Sequence, residues 1–358
     1  MNQFDPSRLF VARTIRHLNK KQLAEQLGVE QHTVTRWEKG TSVPSEESLI
    51  SIATFLKFPL SFFKEEELSL ATVEQTSFRK QSKTTAGVRD ASLSNGALGF
   101  LVSDWLDQEF DLPAVDLPDL SHFTPQVAAR TLRERWTLGE IPISNMIHLL
   151  ESRGVRVFSL SEDTATVNAF AVWRDKRPFV FLNNFKSAES SRFDAAHELG
   201  HLVLHQDVKA KGRYAEDQAN QFASSFLMPR SDVLANIPNN ISLQGLIVHK
   251  LRWKVSLAAL ARRCHKLGLL SDWKYRDFCI QMGKKGYRTQ EPDEVERESS
   301  LIWEKVLKVL WSEQQSHSVI AKATHIPEEQ LEKLLFGILP GPSVSRDASK
   351  PNVLRSVS

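Results

Sequence analysis

Ala196-His197-Glu198-Leu199-Gly200-His201-Leu202-Val203-Leu204-His205 is the stretch on which the reading of this chain turns. His197 and His201 are four residues apart, so on a helix they share a face, about 6 Å apart along the axis. Their imidazoles can then converge on one metal ion. Glu198 stands at the edge of that face, where its carboxylate can reach a water on the metal without displacing it. Gly200 lets another element approach closely, and Leu199, Leu202, Val203 and Leu204 anchor the helix in a core.

A catalytic zinc needs a third protein ligand and one open position. His205 continues the series, but it stands eight residues from His197, about 12 Å of helix. Three such side chains do not easily meet at one tetrahedral ion, so His205 is expected in a supporting or packing role. Glu216 is the better candidate. It opens a second helix in Glu216-Asp-Gln-Ala-Asn220, and Asn220, one turn along, is expected to reach a histidine's other nitrogen and fix its tautomer.

Outward from this point the pattern is α+β, mostly α. Strand-like runs precede the motif at Val155–Leu160, Ala169–Trp173 and Phe179–Leu182, the last two flanking a turn at Arg174–Pro178. Helices are predicted at Gln126–Thr137, Asn145–Arg153, Ser190–His205 and Glu216–Met228, the last stopped by Pro229. Beyond Pro229 the chain is mostly helical.

The N-terminal 63 residues read as a separate all-α unit. Apolar positions recur at helical spacing, with breaks at Asn19, Gly28, Gly40 and Pro44. In Gln22-Leu-Ala-Glu-Gln-Leu-Gly28-Val-Glu-Gln-His-Thr-Val-Thr-Arg-Trp37, Ala24 permits a tight helix crossing and Gly28 supplies the positive φ of a sharp turn. Leu23, Leu27, Val29, Val34 and Trp37 fall inward. The second helix then exposes Gln31, His32, Thr33, Thr35 and Arg36, groups suited to base edges and phosphates in a major groove. From Arg8 to Lys39 there are seven basic residues and three acids, a local surplus that favours double-stranded DNA.

This unit resembles the phage-repressor-like (XRE) helix-turn-helix family from Leu9 to Phe63, including Trp37-Glu38-x-Gly40 and Pro44. The resemblance implies that Gln22 touches a phosphate and that Gln31, His32 and Arg36 read bases, with Thr33 and Thr35 beside them. It also implies a homodimer on operator DNA.

The second half resembles the ImmA/IrrE family of zinc-dependent peptidases, from about Thr124 to Gly268. The matching text is Arg192-Phe-Asp-Ala-Ala-His197-Glu-Leu-Gly-His201-Leu-Val-Leu-His205, followed by Glu216-x-x-Ala-Asn220-x-Phe-Ala-x-x-x-Leu-Met-Pro229. Members commonly carry a second Glu where this chain has Gln218, away from the position assigned to the metal. The resemblance implies a zincin-like fold, a Zn2+ cofactor and an endopeptidase with Glu198 as its base. It also implies a protein substrate, since several members cleave a phage-repressor-like transcription factor. That substrate is expected to lie as an added strand on the 169–182 hairpin, with Tyr214 a candidate for supporting the oxyanion. A rival reading is a non-catalytic repressor or antitoxin whose metal domain senses a ligand or binds a partner.

The domain limits are then a helix-turn-helix at 1–63, a connecting segment at 64–123, peptidase at 124–290, a helical region at 291–339 and a disordered tail at 340–358. Within the second of these, residues 64–99 read as a linker, with Arg79, Lys80, Lys83 and Arg89 in an acid-free run. Lys250–Gln290 holds eleven Lys/Arg and two Asp, with Trp253, Trp273, Tyr275 and Tyr287 interleaved. It reads as solvated helix faces or a nucleic-acid or phosphate site. Val319–Gly337 echoes the first motif, but Glu328, Glu329 and Glu332 on its second helix argue for packing or dimerisation and against DNA readout.

The 358 residues are enough for two or three domains. A hydrophobic fraction of 41% excludes a wholly disordered chain. A net charge of +3 excludes a global nucleic-acid sponge. Cys264 and Cys279 are too few for a disulfide framework. No apolar run reaches the roughly 18 residues of a membrane span, and MNQFDPSRLF lacks a signal peptide's order. A cytoplasmic protein without membrane contact is expected.

Overall fold

The computed structural model describes residues 4–71, 85–160, 169–206 and 212–335. Arg79, Lys80 and Lys83, the tail at 340–358 and Gly337 lie outside them.

The chain begins with four helices, α1 (Pro6–Ile15), α2 (Lys20–Leu27), α3 (Gln31–Glu38) and α4 (Glu46–Leu56), closed by a 3-10 turn at Leu60–Lys64. Each local stop has a cause. Asp5 accepts from the backbone N–H of Ser7 and Arg8 at the head of α1, and Asn19 and Gln22 form a reciprocal capping box on α2. Gly28 ends α2 at φ 66°, with nothing within 4 Å of where a Cβ would stand, so the need for glycine here is conformational. Leu9, Leu23, Val34, Trp37, Ile52, Leu56, Phe62 and Phe63 fill the core. The basic surplus read from the sequence is smaller at the surface. Arg8 is buried and donates to the carbonyls of Phe62 and Glu66, and buried Arg13 pairs with Glu38.

The linker reading of residues 64–99 is corrected over its second half. Residues 86–109 form a 24-residue helix, α5 (Ala86–Glu109), buried almost continuously from Ala91 to Leu106. Its run of Ala, Ser, Asn and Gly looks like linker composition, but small residues are what a helix needs when it is squeezed from two sides. A Cβ on Gly99 would stand 2.8 Å from the Phe181 ring, and one on Gly96 3.4 Å from Phe170. Three of its polar side chains are satisfied within the helix or across the seam. Ser92 donates to the Val88 carbonyl, Asn95 to that of Ala91, and Ser94 meets Thr14 of α1.

Then come α6 (Pro125–Arg135), α7 (Met146–Ser152) and a sheet of β1 (Arg156–Ser159), β2 (Ala169–Arg174) and β3 (Arg177–Leu182). The order is β1-β3-β2, with β3 parallel to β1 (Val157 opposite Val180) and antiparallel to β2 (Ala171 opposite Val180). The hairpin turns at Asp175 and Lys176, both at positive φ, two residues where the sequence suggested five. Phe158, Phe170, Phe179 and Phe181 share one face by the period-two rule. That face meets α5, where Phe100 packs 4.6 Å from Phe179.

The other face packs on α8 (Ala188–Leu204), where Trp173 Nε1 donates to the Leu202 carbonyl. Against the motif helix packs α9 (Arg213–Leu227). The two approach closely at Gly200, where a Cβ would stand 3.0 Å from Phe222.

Four more helices continue the chain: α10 (Arg230–Asn236), α11 (Leu243–Trp253), α12 (Leu257–Lys266) and α13 (Asp272–Lys284). Part of the basic 250–290 stretch is structural. Lys250 and Trp253 are fully buried, Lys250 paired with Glu189, and Arg263 donates to the Met228 carbonyl and Ser225. Cys264 and Cys279 are free thiols.

The described residues end with α14 (Leu301–Ser312), α15 (Ser318–Thr324) and α16 (Glu328–Leu335). The α15–α16 hairpin, which echoes the first motif, packs inside the chain. It meets α5 and β1, places Glu329 3.5 Å from Arg16, and sets His325 Nδ1 2.8 Å from Ser61 Oγ. Among the described residues no helix is long and apolar enough to cross a membrane.

Candidate metal centre and nucleic-acid interface

α8 carries His197 and His201 on the face turned to α9, and Glu216 stands in the first turn of α9. One nitrogen of each ring and one carboxylate oxygen lie within 4.8 Å of one another. His197 Nε2 is 3.4 Å and His201 Nε2 3.5 Å from the Glu216 carboxylate, and the two Nε2 atoms are 3.1 Å apart. Both histidines are 7% exposed. Two imidazole nitrogens and one carboxylate, brought together by helices that cross at a glycine, form a donor set that would fit a zinc ion. The fit is chemical as well as geometric, since a borderline ion takes this mixture of N and O donors.

The electrostatics follow from crowding three titratable groups out of water. Burial pushes the Glu216 carboxyl up, but the His197 and His201 rings 3.4 and 3.5 Å away outweigh it and hold the pKa down at about 2. Burial, with the neighbouring rings of His197 and His205, drives His201 down to about 4. For His197 burial is again the largest influence, opposed by Glu216, Glu198 and Asp194, which together leave its pKa above the ordinary histidine value.

Glu198 is 3% exposed and follows His197 directly on α8. His205 is the last ring of the series and stays out of the donor cluster. Its Nδ1 lies 2.9 Å from His201 Nδ1 and its Nε2 3.0 Å from Gln218 Oε1. At His201 the second ring nitrogen therefore meets His205, which Gln218 backs from α9. Tyr214 is 72% exposed and accepts from Gln218 Nε2 at 3.3 Å.

Sequence reasoning gave Arg192 no role, yet it is 2% exposed and joins three segments. Its guanidinium donates to the carbonyls of Trp253 and Ile143 and to the Glu298 carboxylate. It holds the N-terminal half of α8 in place, and a sequence gives no signal that separates such an arginine from a solvated one.

In the N-terminal unit, α3 buries Val34 and Trp37 and exposes Gln31, His32 and Arg36, with Thr33 and Thr35 half-buried between them. Thr35 turns its hydroxyl back to the Gln31 carbonyl. Gln22 is exposed at the head of α2. Its Oε1 accepts from the Asn19 N–H, which leaves the amide NH2 as its outward donor. Glu38, 3% exposed in its side chain, ties α3 to Arg13 of α1 and to Lys20 of α2. It thereby sets the angle at which α3 is presented.

Residues 12–63 match the helix-turn-helix family, and residues 150–265 match the IrrE N-terminal-like domain of the M78 peptidases. No curated protein matches the chain. The chain thus joins an XRE-type helix-turn-helix, a DNA-binding domain, to an IrrE N-terminal-like domain of the M78 peptidase family. The His197, His201 and Glu216 cluster lies where that peptidase-like domain would hold a metal.

Proposed function

We propose that this chain is a DNA-bound zinc endopeptidase that switches transcription by cleaving a repressor protein. The observation that carries the reading is the convergence of His197, His201 and Glu216 on one point beside Glu198, in a chain that begins with a helix-turn-helix. His197, His201 and Glu216 would hold the ion. Zinc, when bound, polarises the scissile carbonyl and makes water a nucleophile near neutral pH. Glu198 takes the proton of the attacking water and passes it to the leaving amine.

The substrate is read as an extended segment paired to the sheet. β3 has β1 on one side and β2 on the other, so of the two hairpin strands β2 is at the margin of the strand order and takes the added strand. Cleavage in trans is favoured over self-cleavage within 86–99, since those peptide bonds are in the buried helix α5, and a peptidase groove takes extended chain. The helix-turn-helix then brings the enzyme to the operator, as a homodimer.

The test is Glu198→Gln in the full chain. Proteolysis of a co-expressed repressor should be abolished, with zinc content and operator binding retained. Undiminished proteolysis by that variant would remove Glu198 from the mechanism.

A further inference from the structure

From the cluster a line of hydrogen bonds runs outward to the surface. His201 Nδ1 meets His205 Nδ1 at 2.9 Å, His205 Nε2 meets Gln218 Oε1 at 3.0 Å, and Gln218 Nε2 donates to the Tyr214 hydroxyl at 3.3 Å. Each ring in this line offers one donor and one acceptor when neutral, so the direction of any one bond dictates the rest.

The amide of Gln218 sets that direction. Its Oε1 only accepts, so His205 donates from Nε2 and accepts at Nδ1. His201 must then carry its proton on Nδ1, which leaves the lone pair on Nε2. That is the nitrogen facing His197 Nε2 at 3.1 Å and Glu216 Oε1 at 3.5 Å. Turning the amide over reverses every bond. Nε2 of Gln218 would donate to His205, His205 would donate to His201 Nδ1, and the His201 proton would point into the cluster where a metal needs a lone pair.

We infer that Gln218, acting through His205, is a positioning residue that selects the metal-binding tautomer of His201. The inference rests on the metal-site reading above. Side chains that orient a ligating imidazole typically change metal affinity about 10–100-fold when removed.

The experiment uses the full chain, with zinc affinity measured by chelator competition. The 15N shifts of His201 are read in the metal-free protein. Gln218→Glu, which can only accept, should keep the parent affinity and an Nδ1–H tautomer. Gln218→Met, with neither function, should bind zinc about 10–100-fold more weakly, as should His205→Ala. Gln218→Lys, which can only donate, should bind weakest and move the His201 proton to Nε2. The shift of tautomer separates bond direction from the added charge, which alters affinity without moving a proton along the line. Position 218 is half-buried on α9, and thermal melts verify that each variant is folded. Equal zinc affinity across the series, or an unchanged His201 tautomer in Gln218→Lys, overturns the proposal. A parent chain that takes up no zinc overturns the metal site instead, and the shifts of the same samples still decide the tautomer.

Discussion

Thr14 of α1 and Ser94 of α5 meet hydroxyl to hydroxyl at 2.7 Å, both buried, in the seam between the helix-turn-helix and the layer that backs the peptidase sheet. The same helix α5 presses Gly96 and Gly99 on Phe170 and Phe181 of that sheet. The contacts of Arg16 with Glu329 and of His325 with Ser61 close the other side. The DNA-binding unit is therefore docked on the rest of the chain through packed side chains.

Ser94→Leu should disturb this seam. Overpacking a close contact costs about 1–3 kcal/mol. Calorimetry should record a lower melting temperature, while zinc content is unchanged. An unaltered melt would mean that the seam has room, contrary to the full burial of Ser94.

Glu38→Ala should be among the most damaging changes in the N-terminal unit. It strips Arg13 of its carboxylate partner in the interior, and breaking a buried pair costs about 3–5 kcal/mol. Urea unfolding measures the loss. Operator affinity should fall with it, because Glu38 ties α3 to α1 and α2.

Arg36→Ala should weaken the cognate operator by about 1–3 kcal/mol and relax its sequence preference, as expected of a lost base contact. Gln22→Glu keeps the acceptor that caps α2 but places a carboxylate where an amide is proposed to face phosphate. Binding to all duplexes should weaken alike, with the melting temperature preserved. Titrations across salt concentrations separate the two effects, since phosphate contacts set the salt dependence.

Glu216→Ala should reduce zinc retention more than His205→Ala does, because one supplies a donor atom to the cluster and the other orients a ring from outside it. Metal analysis after dialysis against a weak chelator ranks the two. The reverse order would make His205 the third ligand.

Glu151 gives a pH dependence with a definite sign. Burial raises its carboxyl from 4.5 to about 7, against hydrogen bonds from Ser300, Ile302 and Leu301 at the head of α14. The folded state holds this proton more tightly than the unfolded chain. The stabilisation is therefore complete below pH 4.5 and fades as pH rises through about 7. Melting temperatures of the parent, relative to Glu151→Gln, should fall between about pH 5 and pH 8, the range that brackets this loss.

Much of the site was legible from order along the chain. A four-residue histidine spacing is a statement about one helix face, and it holds wherever that helix packs. The turn at Gly28, the alternation of Val34 and Trp37 with exposed Gln31, His32 and Arg36, and the stop at Pro229 are likewise local facts, fixed by backbone geometry and by the periods of helix and strand. Glu216 was within reach because an acid in the first turn of the next helix meets the histidine face once the two helices pack together.

The tertiary structure alone decided the partners that are distant in sequence. Small residues in Ala91–Gly99 mean linker or tightly clasped helix, and only Phe181 on one side and Thr14 on the other choose between them. Arg8, Arg13, Lys250 and Arg263 count as surface charge until carbonyls and carboxylates from remote segments enclose them. The ring beside His201 is His205, backed by Gln218, a meeting of two helices that depends on how α9 packs with Phe222 against Gly200. Sequence carries the period of each helix. Its phase against a neighbour is set by the packing of side chains from both, and only the folded chain brings those together.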